Sequence, residues 1–125
     1  MRLVSIASGS GGNCIYIGTD HTHILIDAGI SAKRIEKGLS ELGVKASELS
    51  GILITHEHSD HIGGLGVFSR RNEIPIYTTI ETYEQIRASK SVGELPEGLH
   101  REIFPDVVFS LGDMEISPFS IDHDA

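Results

Sequence analysis

The sequence predicts a mixed α/β domain in which helices are layered on a sheet. Three observations carry that expectation. Short apolar runs bounded by Ser, Gly, Asn and Asp turn signals recur along the chain, with segments of helical apolar spacing between them. Their order reads strand, strand, strand, helix, strand, helix, strand, helix, then further strands. The length of 125 residues is that of about one domain, enough to bury roughly two-thirds of the unfolded surface. No repeat or low-complexity linker divides the chain, so residues 1–125 read as one domain.

Residues 2–7 read as a first strand, and the loop Ser8-Gly9-Ser10-Gly11-Gly12-Asn13 follows it. Cys14-Ile15-Tyr16-Ile17 is a second strand, Thr19-Asp20-His21 a turn, and His23-Ile24-Leu25-Ile26 a third strand ending at Asp27-Ala28-Gly29. Ser31 suits the N-cap of a helix with Ile35, Leu39 and Leu42 on one face, and Gly43 is placed to end it. Ile52-Leu53-Ile54 is a short buried strand. Residues 62–71 are expected to form a helix despite their glycines, and Pro75-Ile76-Tyr77-Thr78 a strand. Residues 81–90 carry Tyr83, Ile86 and Arg87 at helical spacing behind a glutamate-rich start that suits a helix N-terminus. Residues 91–106 have loop composition; strands at 107–109, 114–117 and 119–121 complete the chain, with a turn at Leu111-Gly112-Asp113.

Hydrophobic residues make up 39% and charged residues 22% of the chain, which excludes a disordered tail. No apolar run approaches the roughly 18–20 residues of a membrane span, and Met1–Ala7 is too short for the core of a signal peptide. The one cysteine, Cys14, has no internal disulfide partner, which fits a reducing compartment. The expectation is a soluble cytoplasmic protein with no membrane partner. Net charge is −8: residues 1–71 hold seven acids and seven bases, and residues 72–125 hold eleven acids and three bases. No basic stripe marks an electrostatic nucleic-acid track. Bound metal ions would change the field wherever acids act as ligands, so the charge does not exclude a polyanionic substrate.

One segment dominates the chemistry: Thr55-His56-Glu57-His58-Ser59-Asp60-His61-Ile62-Gly63-Gly64-Leu65. It follows the buried strand at 52–54, at the strand end where loops present functional groups. Three imidazoles and a carboxylate within six residues form a nitrogen and oxygen donor set suited to zinc, or to manganese or iron. In an extended loop His56 and His58 project to one side and can grip one ion. Asp60 and His61 lie where the chain turns into the next helix and can face a second, while Gly63 and Gly64 let backbone pass close to the crowded site. Chance gives such a ligand pattern in a chain of this composition roughly once in a thousand.

His56-x-His58-x-Asp60-His61 behind a hydrophobic strand resembles the metal-binding motif of the metallo-β-lactamase fold superfamily, and Leu25-Ile26-Asp27-Ala28-Gly29 is similar to its first motif. Ala7-Ser8-Gly9-Ser10-Gly11-Gly12-Asn13-Cys14, the 55–65 segment and His123-Asp124-Ala125 together resemble the YycJ/WalJ branch, relatives of RNase J and RNase Z. The resemblance implies the N-terminal half of an αββα sandwich, a mixed sheet with helices on its outer face. It implies two divalent metal ions: His56, His58 and His123 on the first, and Asp60 and His61 on the second. Asp60 would also orient the attacking water, and Asp27 would support the metals from behind. Two later motifs, a bridging aspartate and a final histidine, are missing, so the chain is expected to be a truncated half that completes at most one metal site. The uncovered sheet face would then take the remainder of the domain, or self-associate.

The weaker signals leave alternatives open. Asp27 also suits a plain turn cap, and His123 a surface strand end. Ser8, Ser10 and Asn13 are candidates for substrate contact in a loop that reads equally as an inter-strand turn. Cys14 reads as a small buried apolar residue, and Arg70 and Arg71 as a solvated helix end rather than a phosphate clamp. The leading function is a metal-dependent phosphodiesterase acting as a nucleic-acid exonuclease. Alternatives are an ester or thioester hydrolase of glyoxalase II or lactonase type, whose motif is very similar, and a catalytically incomplete fragment.

Overall fold

The computed structural model describes residues 1–119. Strands β1 (Arg2–Ala7), β2 (Cys14–Gly18), β3 (His23–Ile26), β4 (Leu49–Leu53), β5 (Ile76–Thr78) and β6 (His100–Glu102) lie side by side in chain order as one six-stranded sheet. β1, β2 and β3 pair antiparallel, whereas β3, β4, β5 and β6 pair parallel. The change of sense follows from the connections. A short turn can only reverse a strand, and each parallel step needs a crossover, supplied by helices α1 (Ala32–Glu41), α2 (Ser59–Ile62), α3 (Leu65–Asn72) and α4 (Ile80–Ala88).

The first helix forms as its sequence dictates. The Ser31 hydroxyl accepts from Arg34 N at 3.3 Å, and Ala32, Ile35 and Leu39 form the buried stripe. Gly43 at φ +76 stops it by turning Val44 N back onto Leu39 O at 2.9 Å. The helices cover one face of the sheet, where Tyr16, Leu25, Ile35, Leu39, Ile52, Leu65, Phe68, Ile76 and Ile86 form a continuous core. Each such side chain, fully buried, contributes roughly 1.5–3 kcal/mol.

The other face is only partly covered. A hairpin of β7 (Phe109–Leu111) and β8 (Met114–Ile116) lays Leu111 and Met114 on Ile24, flanked by half-buried Ile17, Leu53 and Tyr77. Tyr77 and Phe109 stack with ring centroids 5.6 Å apart. Asp113 anchors the hairpin tip: its carboxylate accepts from Thr19 Oγ1 at 2.8 Å and its amide donates to Thr22 Oγ1 at 3.0 Å. The Thr22 and Thr19 hydroxyls hold that carboxyl below its ordinary value of 3.8. Leu3, cross-strand from Ile17 and so on this face, is 68% exposed.

Four expectations need correction. The helix expected over 62–71 is two helices broken at Gly63-Gly64, because Gly64 N leaves the helix to donate to Ala28 O at 2.8 Å. The strand expected at 52–54 is β4, Leu49–Leu53, its start fixed by pairing with β3 rather than by its own apolar run. The 91–106 stretch holds β6, a polar edge strand whose apolar pattern is invisible but whose backbone pairs with β5. The strand expected from Val107 begins at Phe109, since Val107 and Val108 are exposed and only the hairpin's inner residues meet the sheet. The strand expected at 119–121 runs outside the described residues.

Candidate metal centre

β3 and β4 run parallel and end side by side, and the chain leaves each to build the site. Beyond β3, Asp27 takes the left-handed conformation at φ 67 and donates from its N to Leu53 O at 2.7 Å. Its side chain is thereby turned under the loop that leaves β4, and it is 5% exposed. Asp is among the residues that enter this region at least cost. Ala28 N then donates to His61 O at 2.8 Å, which fixes the 27–30 loop against α2. The approach is close enough to require glycine. A Cβ on Gly29 would stand 1.9 Å from Asp60 O, and one on Gly64 would stand 1.7 Å from Ile30 O.

Within this frame Asp27 gathers three donors. Its Oδ1 accepts from Thr55 N at 2.8 Å, and its Oδ2 accepts from Thr55 Oγ1 at 2.7 Å and faces His61 Nδ1 at 2.7 Å. A carboxylate there requires an N–H at His61 Nδ1, so in the neutral ring the lone pair is on Nε2, on the far side. That Nε2 stands 3.5 Å from Asp60 Oδ2. Two donors each about 2.1 Å from one tetrahedral ion stand about 3.4 Å apart, so this pair is spaced as two ligands of a shared ion.

The His56 ring lies 4.7 Å from His61 and 6.1 Å from His58, centroid to centroid. All four expected ligands from the motif thus gather at one end of the sheet, with His58 exposed and His56, Asp60 and His61 half-buried. Among the described residues no three of these donors converge on a single point. Asp60 and His61 stand as one pair with a spacing that suits a divalent ion. His123, expected on the first ion, lies outside the described residues.

The Ser8–Asn13 loop is spent largely on structure. Asn13 Nδ2 donates to Gly9 O at 3.0 Å, Asp60 O at 3.1 Å and Asp60 Oδ2 at 3.3 Å, while Asn13 Oδ1 accepts from Gly9 N at 3.1 Å. Asn13 N adds a bond to Asp60 O at 2.7 Å. The side chain expected to touch substrate therefore ties the loop to Asp60, and Ser8 and Ser10 are exposed beside it. Cys14 is fully buried, and that burial, with the charge of Asp27 behind it, pushes its thiol up to about 12. Arg70 donates to Val92 O and Glu94 O, which pins the loop after α4, and Arg71 sits 3.4 Å from Glu36. Thr55 was not expected at the site. Its signal was available in the sequence as a hydroxyl next to the first histidine, but only the fold shows that it meets Asp27.

The chain is similar to known proteins in sequence and in fold. The family model described as the metallo-beta-lactamase superfamily matches residues 7–123. The exodeoxyribonuclease YycJ of Bacillus anthracis is 39% identical over 120 residues, covering 96% of this chain and 45% of that protein. The exodeoxyribonuclease WalJ of Streptococcus pneumoniae (strain D39) is 38% identical over the same length and shares. The chain therefore spans about half the length of the curated relatives it matches. Among solved structures, a subclass B3 metallo-β-lactamase with an active-site glutamic acid superposes at TM-score 0.75 with 22% identity, over 92% of this chain and 47% of that one, a likeness of fold.

Proposed function

This chain belongs to the metallo-β-lactamase superfamily, and from that premise we propose that it forms the ligand-bearing half of a metal-dependent phosphodiesterase that degrades DNA. The observation that carries the hydrolytic reading is the Asp60–His61 pair, spaced at 3.5 Å for a shared ion and backed by buried Asp27. The choice of DNA is supported by the two exodeoxyribonuclease relatives at 38–39% identity.

In this reading His56 and His58, with His123, would hold one divalent ion, and Asp60 and His61 would hold a second; zinc fits the nitrogen-rich set, with manganese or iron as alternatives. Such ions, when bound, lower the pKa of a water and stabilise charge on a phosphoryl oxygen. The protein's own share is orientation. Asp27 holds His61 by its Nδ1 and Asn13 holds the Asp60 carboxylate, and Asp60 would orient the attacking water. The half-covered apolar face around Ile17, Leu53 and Tyr77 is assigned to the remainder of a domain about twice this length. No helix among the described residues is long and apolar enough to cross a membrane, and the lone buried thiol suits the cytoplasm.

The test uses the intact protein that carries this chain, loaded with zinc or manganese and given end-labelled single- and double-stranded DNA. Stepwise release of nucleotides, abolished by chelation and by Asp60→Asn, is expected. Failure to cut either DNA with ready hydrolysis of a thioester or lactone would overturn the nuclease reading in favour of a small-molecule hydrolase.

A further inference from the structure

Thr55 has one hydroxyl proton and three neighbours around its oxygen. Oγ1 lies 2.7 Å from Asp27 Oδ2, 3.0 Å from His56 Nδ1 and 3.4 Å from His61 Nδ1. Asp27 Oδ2 is a carboxylate oxygen that only accepts, and it also faces His61 Nδ1. The Thr55 proton must therefore go to Asp27. The lone pairs that remain on Oγ1 can only accept, so the partner at His56 Nδ1 must be an N–H. In the neutral His56 ring the proton is then on Nδ1, and Nε2 is the nitrogen that can act as a donor to a cation.

We propose that Thr55 is a positioning residue that relays the charge of buried Asp27 to His56. One carboxylate thereby sets the tautomer of two histidines, directly for His61 and through the Thr55 hydroxyl for His56. Both rings then present Nε2 as the donor for a divalent cation. This rests on the reading of the site as a metal centre, and it adds a residue outside the ligand set. Contacts of this kind behind a metal-bound histidine change affinity by roughly 10–100-fold. The relay also explains why Thr55 N donates to the other oxygen of the same carboxylate at 2.8 Å: the two bonds hold the Thr55 backbone and side chain in one register against Asp27.

The experiment has two arms in the intact protein. In the metal-free protein, long-range 15N–1H NMR reads the tautomer of His56 directly. The Nδ1–H form is expected, and the Nε2–H form would overturn the relay whatever the variants do. In the second arm, zinc affinity is measured by competition with a chromophoric chelator for the parent, Thr55→Val and Thr55→Ser. Thr55→Val keeps the shape and loses the hydroxyl, so affinity is expected to fall roughly 10-fold or more. Thr55→Ser restores the hydroxyl and is expected to stay within about threefold of the parent. Affinity in Thr55→Val equal to the parent's, or equally weak in both variants, would overturn the proposal, the latter by assigning the effect to the methyl group. Zinc affinity is read without DNA, so loss of nuclease activity as a function would leave these outcomes intact.

Discussion

Replacing Gly29 with alanine tests how the site is held together. Its φ is outside the left-handed range, so backbone conformation permits alanine, and reduced freedom of the unfolded chain alone would stabilise the protein by about 0.4–1 kcal/mol. Space argues the opposite. The new Cβ would stand 1.9 Å from Asp60 O and 2.7 Å from Asn13 N, so more than 1 Å must open to reach 3.0 Å. Both neighbours are backbone and neither can rotate away. The movement breaks the bonds from Asn13 N to Asp60 O at 2.7 Å and from Gly29 N to Asn13 O at 2.9 Å. Each is worth about 1 kcal/mol, and the forced overlap costs about 1–3 kcal/mol more. The expected loss is therefore about 2–5 kcal/mol by urea unfolding. Asp60 is carried away from His61, so zinc affinity is expected to fall roughly 10-fold or more even in the folded fraction. Gly11→Ala is the control, since nothing lies within 4 Å of its Cβ and its φ is ordinary; it is expected to be neutral. A Gly29→Ala protein as stable as the parent, with unchanged zinc affinity, would refute the close approach on which the site's geometry rests.

Phe68 is fully buried between α3 and the sheet, and Phe68→Ala is expected to cost about 3–5 kcal/mol in urea unfolding without changing the motif's chemistry. A loss below 1 kcal/mol would mean that this helix is not packed as described. Cys14, its thiol raised by burial from 9.0 to about 12, is expected to resist iodoacetamide at pH 8 until the protein is unfolded by urea. Because only the folded state keeps this thiol neutral above pH 9, its contribution is complete below 9.0 and is lost as pH climbs toward about 12. The loss runs at about 1.4 kcal/mol per pH unit. A Cys14→Ala variant with an identical alkaline stability curve would falsify that account.

The local signals in this chain were strong where one residue type decides one local outcome. Ser31 and Gly43 bracket α1 because a hydroxyl cap and a left-handed stop act within a single turn. The three N-terminal strands were legible because their β-branched runs are cut by short turns. The ligand cluster was legible because His56, His58, Asp60 and His61 sit within six residues, where spacing alone brings them together. β6 was not, since His100-Arg101-Glu102 carries no apolar pattern and becomes a strand only by pairing with β5. The break between α2 and α3 was hidden for a similar reason: Gly63-Gly64 is tolerable in a helix, and it is Ala28, distant in sequence, that draws Gly64 N out.

By itself the sequence determined the class of domain, the His56–His61 cluster of candidate donors and the family the chain belongs to, because these depend on residue type and short spacing. Only the tertiary structure decided what each donor leans on. Asp27 and Thr55 are 28 residues apart and Asn13 and Asp60 are 47 apart, and no local rule of spacing links them. They meet because parallel pairing of β3 and β4 ends both strands at the same end of the sheet, and because glycines at 29 and 64 let the loops beyond them touch. Closing loops of that length costs entropy that such hydrogen bonds alone do not repay, so they depend on the sheet that holds both ends. That is why the cluster of candidate donors was readable from the chain and the partners behind it were not.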